Sequence, residues 1–138
     1  MKKISIISPT YNEEENILEL YKKIAEQISL FPQYIFEILF IDNASTDNTQ
    51  KIINKLCLED KKIKAIFNTK NFGHIRSPFH AILQSKGDAI ILVAADFQDP
   101  PILIPQLIEK WSEGSDIVLL KRKKTQENIF LEFVKKLF

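Results

Sequence analysis

Residues 34–49, YIFEILFIDNASTDNT, change abruptly from apolar to polar and give the first indication of the fold. The apolar half, 34–41, has the length of a buried strand, and residues 46–58 carry apolar side chains at helical spacing. A strand that leads through a short polar turn into a helix is half of a βαβ unit. A core strand does not need an acid at its end, so Asp42 raises the question of what its carboxylate holds.

The same alternation of apolar runs and helical patterns extends along the chain. Further strands are predicted at 3–8, 63–67, 89–95 and 116–120, and further helices at 13–30, 75–86 and 100–111. The run 89–95 is the most apolar and predicts a central strand covered on both faces. Pro78 is predicted in the first turn of its helix, where proline is tolerated. The alternation predicts an α/β fold, a three-layer Rossmann-like domain with a mostly parallel sheet.

Composition limits the classes of protein to which the chain can belong. Its 138 residues are enough for one domain with a single core. The 19 Lys and Arg against 18 Asp and Glu leave a net charge of +1, which gives no electrostatic case for a nucleic-acid partner. Cys57, the single cysteine, excludes an internal disulfide and is predicted to pack on the apolar side of a helix. No apolar run is long enough to cross a bilayer, and the one near the N-terminus is too short for a signal peptide.

The character of the sequence changes at Lys121, where the basic run KRKK begins. We predict one domain over 1–124 and an amphipathic tail helix over 125–138. The apolar residues of the tail share one helical face and are Ile129, Phe130, Phe133, Val134, Leu137 and Phe138. Such a face fits either a peripheral contact with the membrane interface or packing on this domain, on further parts of the protein, or on a second copy in a homo-oligomer.

Polar sequences follow three of the predicted strands: SPTYNEEE, DNASTDNT and ADFQDPP. Helix capping explains each of them when it is taken alone. Their coincidence at the carboxyl edge of one parallel sheet, where such folds bind ligands, favours a shared site instead.

The side chains of these sequences suit a nucleoside diphosphate and a hard metal ion. A carboxylate at a strand end can accept hydrogen bonds from a base or a ribose, and Tyr11 offers a ring face beside it. Asp96, Gln98 and Asp99 offer oxygen ligands of the type that holds Mg²⁺ or Mn²⁺ against phosphates. The sequence has neither a GxGxxG loop nor a P-loop lysine motif, so a metal ion is the predicted means of neutralising the diphosphate.

Four motifs in this order, PTYNE, DNASTDNT, NFG and ADFQDPP, resemble the inverting family 2 glycosyltransferases. The resemblance covers residues 3–124. QDPP and the IPQLIEKW that follows are most similar to the branch that transfers a sugar from a nucleotide donor to a polyprenyl phosphate, as dolichyl-phosphate mannose synthases do. The resemblance implies a GT-A fold and sugar transfer from a UDP- or GDP-sugar donor. The implied acceptor is a polyprenyl phosphate, a lipid phosphate, or a glycan, at the cytoplasmic, inner face of the membrane.

The resemblance also implies roles for residues around the nucleoside. Pro9, Tyr11 and Glu13 would line the nucleotide site, and Asp42 would contact the base or the ribose. Asn71 would belong to a loop below the donor. The Asp42 carboxylate, which a core strand does not need, is thus expected to hold a nucleoside.

At the diphosphate, the resemblance implies that Asp96 is the catalytic residue and, together with Gln98, a metal ligand. Asp99 would cap the next helix, and His74 would approach the phosphates. Ala94 stands where the family usually has the first acid of Asp-x-Asp, and this change predicts weaker binding of Mg²⁺ or Mn²⁺.

Two other interpretations remain open at this point. Ala94, and the lack of the acceptor-site residues that family members carry further downstream, fit a truncated or degenerate nucleotide-sugar-binding module without transferase activity. A flavodoxin-like signalling domain would instead use the clustered acids for Mg²⁺ and phosphorylation, with Lys121 facing them.

Overall fold

A parallel sheet of four strands forms the centre of the computed structural model, which describes residues 1–121. The strands are β1 (Lys3–Thr10), β2 (Ile35–Asp42), β3 (Ile63–Phe67) and β4 (Ala89–Leu92). They lie in the order β3-β2-β1-β4, and each neighbouring pair is parallel. The strand order reverses between β1 and β4, so the loops after these two strands diverge. Such a switch point is where α/β sheets bind ligands.

Helices cover both faces of this sheet. Within the described part of the chain they are α1 (Ile17–Ile28), α2 (Thr49–Glu59), α3 (Gly73–Gln84) and α4 (Ile104–Ser112), with a 3₁₀ turn at Pro101–Leu103. The helices α1, α2 and α4 pack their apolar sides against one face of the sheet. Ile6, Ile24 and Ile53 are fully buried in the core between them. On the opposite face, Ala81 of α3 packs beside Ile7 of β1. The predicted three-layer α/β architecture is confirmed.

The fourth strand differs from its prediction. β4 ends at Leu92 and forms the edge of the sheet within residues 1–121, so Ile90 and Leu92 are 40% and 50% exposed. The prediction of a central strand covered on both faces is therefore wrong for the described residues. Val93 and Ala95 are buried among the helices, so their apolarity reflects the core and not a longer strand.

The predicted fifth strand, 116–120, is not a strand in the structure. Together with β4 it lines a groove of about 560 Å³ whose side chains are mostly apolar. Apolar composition does not make a strand unless a neighbour supplies ladder hydrogen bonds. The predicted tail helix, 125–138, lies outside the described residues.

All four helices begin at other residues than predicted, and α4 begins at Ile104 instead of 100, after the 3₁₀ turn. α1 begins at Ile17 instead of 13, and α2 begins at Thr49 instead of 46. In both cases the intervening residues form hydrogen bonds between two loops, which keeps them out of the helix. α3 begins at Gly73, so Pro78 lies in its second turn and the first-turn prediction is wrong.

A buried charge cluster fixes the amino end of the sheet, opposite the strand ends considered above. The carboxylate of Glu37 is paired with Lys3 at 2.6 Å and with Lys64 at 2.8 Å. It also accepts hydrogen bonds from the Ser5 hydroxyl at 2.5 Å and from the Lys86 amide at 2.9 Å. Burial acts to raise the pKa of Glu37, but these four donors outweigh it and hold the pKa well below its usual range. Glu37 therefore remains ionised although it is only 3% exposed.

Candidate functional site

A cleft of about 360 Å³ opens at the carboxyl edge of the sheet. Its walls come from the loops after β1, β2 and β4 and from the first turns of α3. The lining residues are Pro9, Thr10, Tyr11, Glu13, Asn43, Asn71, Gly73, His74, Ser77, Pro78, Ala94, Ala95 and Asp96. The groove beside β4 is larger, but its lining is mostly apolar and it does not reach the polar loops after β1 and β2. We therefore take the smaller cleft as the candidate site.

Five predicted site residues line this cleft: Pro9, Tyr11, Glu13, Asn71 and Asp96. They come from separate stretches of the chain, which the parallel sheet brings to one edge. The ring of Tyr11 is 47% exposed, so a flat ligand can stack on it. The structure thus brings these residues together, and their contact with a nucleotide stays a prediction.

Asp42 is placed differently from the other predicted residues, because it is fully buried and lies outside the cleft lining. Its carboxylate accepts hydrogen bonds from the Ser45 amide at 2.9 Å and from Gln50 Nε2 at 2.6 Å. The hydroxyls of Ser45 and Thr10 donate to it as well. This carboxylate therefore anchors the loop after β2 to the first turn of α2. A direct contact between Asp42 and a nucleoside stays a prediction, and the observed bonds give Asp42 a positioning role.

Asn43, the next residue, faces the cleft and holds the loop that precedes α3. Its Nδ2 donates to Asn71 Oδ1 at 2.7 Å and, more weakly, to the Gly73 carbonyl at 3.4 Å. Its Oδ1 accepts from the Phe72 amide at 2.8 Å and from Asn68 Nδ2 at 3.2 Å. One amide side chain thus fixes four residues of that loop, two of which line the cleft.

The loops after β1 and β2, residues 11–16 and 43–48, are bonded to each other, and we call them the braced loops. The Asn12 amide donates to Ser45 Oγ at 2.9 Å, and Asn12 Oδ1 accepts from the Thr46 amide at 2.8 Å. The Glu14 carboxylate accepts from the amide and the side chain of Asn48 at 2.8 and 2.7 Å. The two loops therefore form one wall of the cleft.

Asp47 strengthens this wall from the amino end of α2. Its carboxylate accepts hydrogen bonds from the amides of Thr49 at 2.9 Å and Glu14 at 3.2 Å. Partial burial acts to raise the pKa of Asp47, but these bonds and one from the Thr49 hydroxyl hold the pKa below its usual value. The carboxylate is thus an anion at the end of a helix whose dipole favours negative charge.

One residue in each of the loops that follow β1, β2 and β4 has a left-handed backbone conformation. The three residues are Asn12 with φ 53°, Ala44 with φ 64° and Phe97 with φ 58°. This geometry costs about 1–2 kcal/mol for most residues other than glycine. Asn tolerates it more readily than Ala or Phe. Strained backbone in each of the three loops that line one cleft is typical of functional sites.

The loop after β4 contributes one carboxylate to the cleft, that of Asp96, and the loop after β1 contributes Glu13. Asp96 Oδ1 accepts a hydrogen bond from the Gln98 amide at 3.0 Å. Ala94 lines the same wall without a side-chain oxygen, Gln98 lies outside the lining, and Asp99 lines the larger groove. Among residues 1–121, no three His, Cys, Asp or Glu side chains are grouped so that they could hold a metal ion. The described side chains therefore do not fit a metal site built from protein ligands.

The amino end of α3 forms another wall of the cleft. Gly73, with φ 84°, and His74 both line it. The positive end of a helix dipole favours anions, although the Gly73 amide at this end already donates to Asn71 Oδ1 at 2.8 Å. His80, which lies further along α3, is exposed and outside the lining. The predicted approach of His74 to phosphates stays a prediction, and its position in the lining is compatible with it.

No site role was predicted from the sequence for several lining residues, among them Asn43 and Ser77. Asn43 is adjacent to Asp42, and a strand that ends one residue later than predicted would have turned attention to it, since neighbouring side chains point to opposite faces. Ser77 is nearly fully buried and accepts a hydrogen bond from Asn68 at 2.9 Å. No sequence signal marks Ser77, because a serine inside a helical pattern is commonplace.

Comparison with known proteins decides the family. The sequence signature described as "Glycosyl transferase family 2" matches residues 5–137. The chain belongs to this family. A bactoprenol glucosyl transferase of Shigella phage SfV is 44% identical over 120 residues, which are 87% of this chain and 39% of the relative. An undecaprenyl-phosphate 4-deoxy-4-formamido-L-arabinose transferase of Proteus mirabilis is 30% identical over 99% of this chain and 42% of its own length. This family 2 chain thus spans about two fifths of the length of these relatives.

Solved structures share the fold of this family 2 chain. S. aureus TarS 1-349 in complex with UDP-GlcNAc matches with a TM-score of 0.65 and 29% identity, over 91% of this chain and 36% of that one. The mannosyltransferase PcManGT from Pyrobaculum calidifontis, in complex with GDP-Man and Mn²⁺, matches with a TM-score of 0.70 over 88% of this chain and 36% of that one. Its identity is 23%, so this second likeness concerns the fold alone. The predicted family and the GT-A fold are confirmed.

Proposed function

We propose that this chain is the donor-binding part of an inverting glycosyltransferase, which transfers a sugar from a nucleotide diphosphate to a polyprenyl phosphate. The observation that carries the proposal is the meeting of Tyr11, Asn71 and Asp96 in one cleft at the switch point of the sheet. Relatives named for bactoprenol and for undecaprenyl phosphate support the acceptor. The four motifs in the sequence predict the same function.

The nucleoside would lie against the braced loops. Tyr11 is exposed and can stack on the base, with Pro9 and Glu13 beside it. Asp42 would act from behind this surface, since its carboxylate holds Ser45 and Gln50 in place. Because these bonds hold the loop from within the protein, little entropy would be lost at this loop when the donor binds.

The diphosphate would lie between Asp96 and the amino end of α3. There the positive end of the α3 dipole can offset the negative charge that develops on the leaving group. Asp96, as the remaining acid of the motif, would orient the donor. Since Ala94 supplies no second carboxylate, any Mg²⁺ or Mn²⁺ would be held mainly by the oxygens of the donor, and we assign the ion no step in the reaction.

The acceptor would be a lipid-linked phosphate at the cytoplasmic face of the membrane. A polyprenyl phosphate is already anionic, so its oxygen can attack the anomeric carbon without prior removal of a proton by a protein base. Attack from the side opposite the nucleotide would invert the configuration at that carbon. Among residues 1–121, no helix has the length and apolarity to cross a bilayer. A contact of the tail with the membrane or with a second copy concerns residues outside the described part.

A thermal-shift experiment on the 138-residue chain tests the proposal. UDP, GDP and their sugars are added with and without Mg²⁺ or Mn²⁺, and one nucleotide series should raise Tm selectively. At a concentration of 100 times Kd, the expected stabilisation is about 2.7 kcal/mol, a shift of several degrees. Tyr11→Ala should abolish the shift, whereas Phe79→Ala, which removes an exposed ring outside the cleft, should preserve it.

Two outcomes would count against the proposal. A lack of stabilisation by every nucleotide would refute donor binding, as would equal effects of Tyr11→Ala and Phe79→Ala. Binding of a nucleotide sugar without transfer to undecaprenyl phosphate would instead favour the nucleotide-sugar-binding module without transferase activity.

A further inference from the structure

The charge of the chain is distributed unevenly around one part of the fold. Residues 61–87, which include β3 and α3, contain six Lys and Arg and no Asp or Glu, although the whole chain has 18 acids and a net charge of only +1. The basic residues are Lys61, Lys62, Lys64, Lys70, Arg76 and Lys86. Lys64 is paired with Glu37, whereas Lys70, Arg76 and Lys86 lie in α3 or within a few residues of it, so the α3 segment has a local positive charge.

The outward face of α3 is apolar within this cationic region. Ile75, Phe79 and Leu83 are 73%, 58% and 64% exposed, and their spacing of four residues places them on one side of the helix. The side of α3 that packs on the sheet buries only Ser77 and Ala81. Ile82 also packs toward the sheet, but three large apolar side chains of α3 point away from the core, which is unusual for a surface helix.

We infer that this outward face of α3 docks on an anionic lipid bilayer. An amphipathic helix with exposed Leu, Ile or Phe and with basic residues beside them has the composition of a helix that lies in a membrane interface. The acid Glu37 lies near His80 and Gln84 of α3, but it is buried and its charge is paired with lysines. Each basic residue near an anionic leaflet adds attraction. We call Ile75, Phe79 and Leu83 with Arg76 and Lys86 the docking face.

The positive charge of α3 disfavours two other partners for this face, a second copy of the chain and the segment 122–138. A second copy docked face to face would bring two cationic surfaces together, and like charges at an interface disfavour association. The segment 122–138 carries five Lys and Arg against two Glu, so its net positive charge does not complement α3.

Docking through α3 would place the bilayer next to the cleft. Gly73 and His74 line the cleft, and Ile75, the first residue of the docking face, follows directly. From Ile75 to Leu83 the helix rises about 12 Å. A bilayer in contact with this face therefore lies beside the cleft mouth. This part of the inference rests on the proposed function, because only a lipid-linked acceptor makes such proximity useful.

Vesicle co-sedimentation of the 138-residue chain tests the inference without nucleotide or acceptor. Vesicles of phosphatidylglycerol and phosphatidylcholine should bind the chain at least about tenfold more tightly than pure phosphatidylcholine, and added salt should weaken the binding. Phe79→Ser should lower the affinity about tenfold, since a ring leaves the lipid. Leu58→Ser, at a position on α2 that is 88% exposed, is the matched control and should have no effect.

The outcomes separate this inference from its rivals and from the proposed function. Loss of binding in Phe133→Ser but not in Phe79→Ser would assign the membrane contact to the tail and overturn the inference. It would also be overturned if Phe79→Ser left lipid binding unchanged and instead dissolved a dimer in analytical ultracentrifugation. The nucleotide-dependent Tm shift of Phe79→Ser should equal that of the wild type, so a failure of lipid docking leaves the donor site tested separately.

Discussion

Replacement of Asn43 by aspartate exchanges one amide nitrogen for an oxygen at the centre of the bonds that hold the loop before α3. Asn43 Nδ2 donates to Asn71 Oδ1 at 2.7 Å, and an aspartate oxygen in its place would face that acceptor directly. Asn71 cannot correct the mismatch by rotating its amide, because its Oδ1 also accepts from the Gly73 amide at 2.8 Å. The other oxygen of the aspartate would keep the bond from the Phe72 amide.

The magnitude follows from these bonds and from burial. Loss of a neutral hydrogen bond costs about 0.5–1.5 kcal/mol, and a buried acceptor without a donor adds about 1–3 kcal/mol. The stronger bond from the Phe72 amide to a charged oxygen offsets part of this. Since Asn43 is only 8% exposed, water relieves little of the repulsion. We expect Asn43→Asp to lower the free energy of unfolding by about 2 kcal/mol, and Tm by roughly 8 °C.

Urea denaturation measures the loss of stability, and amide hydrogen exchange shows where it acts. Exchange at Phe72 and Gly73 should accelerate, whereas exchange in the core strands should change only through global stability. Asn54→Asp, at an exposed position on α2, is the matched control for added charge. The reasoning is refuted if Asn43→Asp keeps wild-type stability, and above all if it then tightens nucleotide binding. Such a result would mean that Asn43 contributes to nucleotide binding and not to the stability of the loop before α3.

Three further substitutions test other parts of the structure by urea denaturation. Ala44→Gly should raise the free energy of unfolding by about 0.5–1 kcal/mol, because glycine adopts φ 64° without strain; a destabilised variant would contradict this. Glu37→Gln should lower it by about 2 kcal/mol at pH 7, since Lys3 and Lys64 lose their partner. The pKa of Glu37 is held below its unfolded value of about 4.3, so its contribution is complete above that pH and is lost as pH falls toward the folded pKa. The difference from wild type should therefore shrink at pH 3.5, and an equal difference at both pH values would argue against the ion pairs. Gly87→Ala should lower the free energy of unfolding by about 2–3 kcal/mol, because a Cβ would lie 2.6 Å from backbone atoms of β1 and β4. An unchanged Tm would show that the two strands can move apart to accommodate the methyl group.

The sequence predicts those features of the fold that depend on local periodicity. Apolar runs alternating with helical patterns are enough to predict the parallel sheet, and polar residues at three strand ends are enough to predict one cleft. Local periodicity does not predict whether a strand lies at the edge of the sheet, because that depends on which segments pair. The run 89–95 is apolar both where Ile91 lies in a strand and where Val93 and Ala95 pack under helices. Composition is the same in the two cases, so it could not locate the end of β4.

The sequence also could not predict which of the two polar residues Asp42 and Asn43 reaches the cleft. Side chains alternate between the faces of a strand, so a shift of one residue in the end of the strand exchanges the side chain that is buried with the one that reaches the cleft. β2 extends to Asp42, which pairs in register with Thr10, one residue beyond the predicted end. The hydrogen bonds of the next loop, which hold Asp42 inward, join residues that no local pattern connects.

The braced loops also restrict how this protein can change its ligand. Asn12 and Glu14 of one loop bond the backbone of Thr46 and Asn48 in the other, so neither loop can gain or lose a residue without disturbing its neighbour. Grafting only the segment after β2 from a homologue of different nucleotide preference should therefore yield a misassembled wall, whereas transplanting both segments together preserves their fit. Over evolution, insertions and deletions in the two segments are expected to occur in concert.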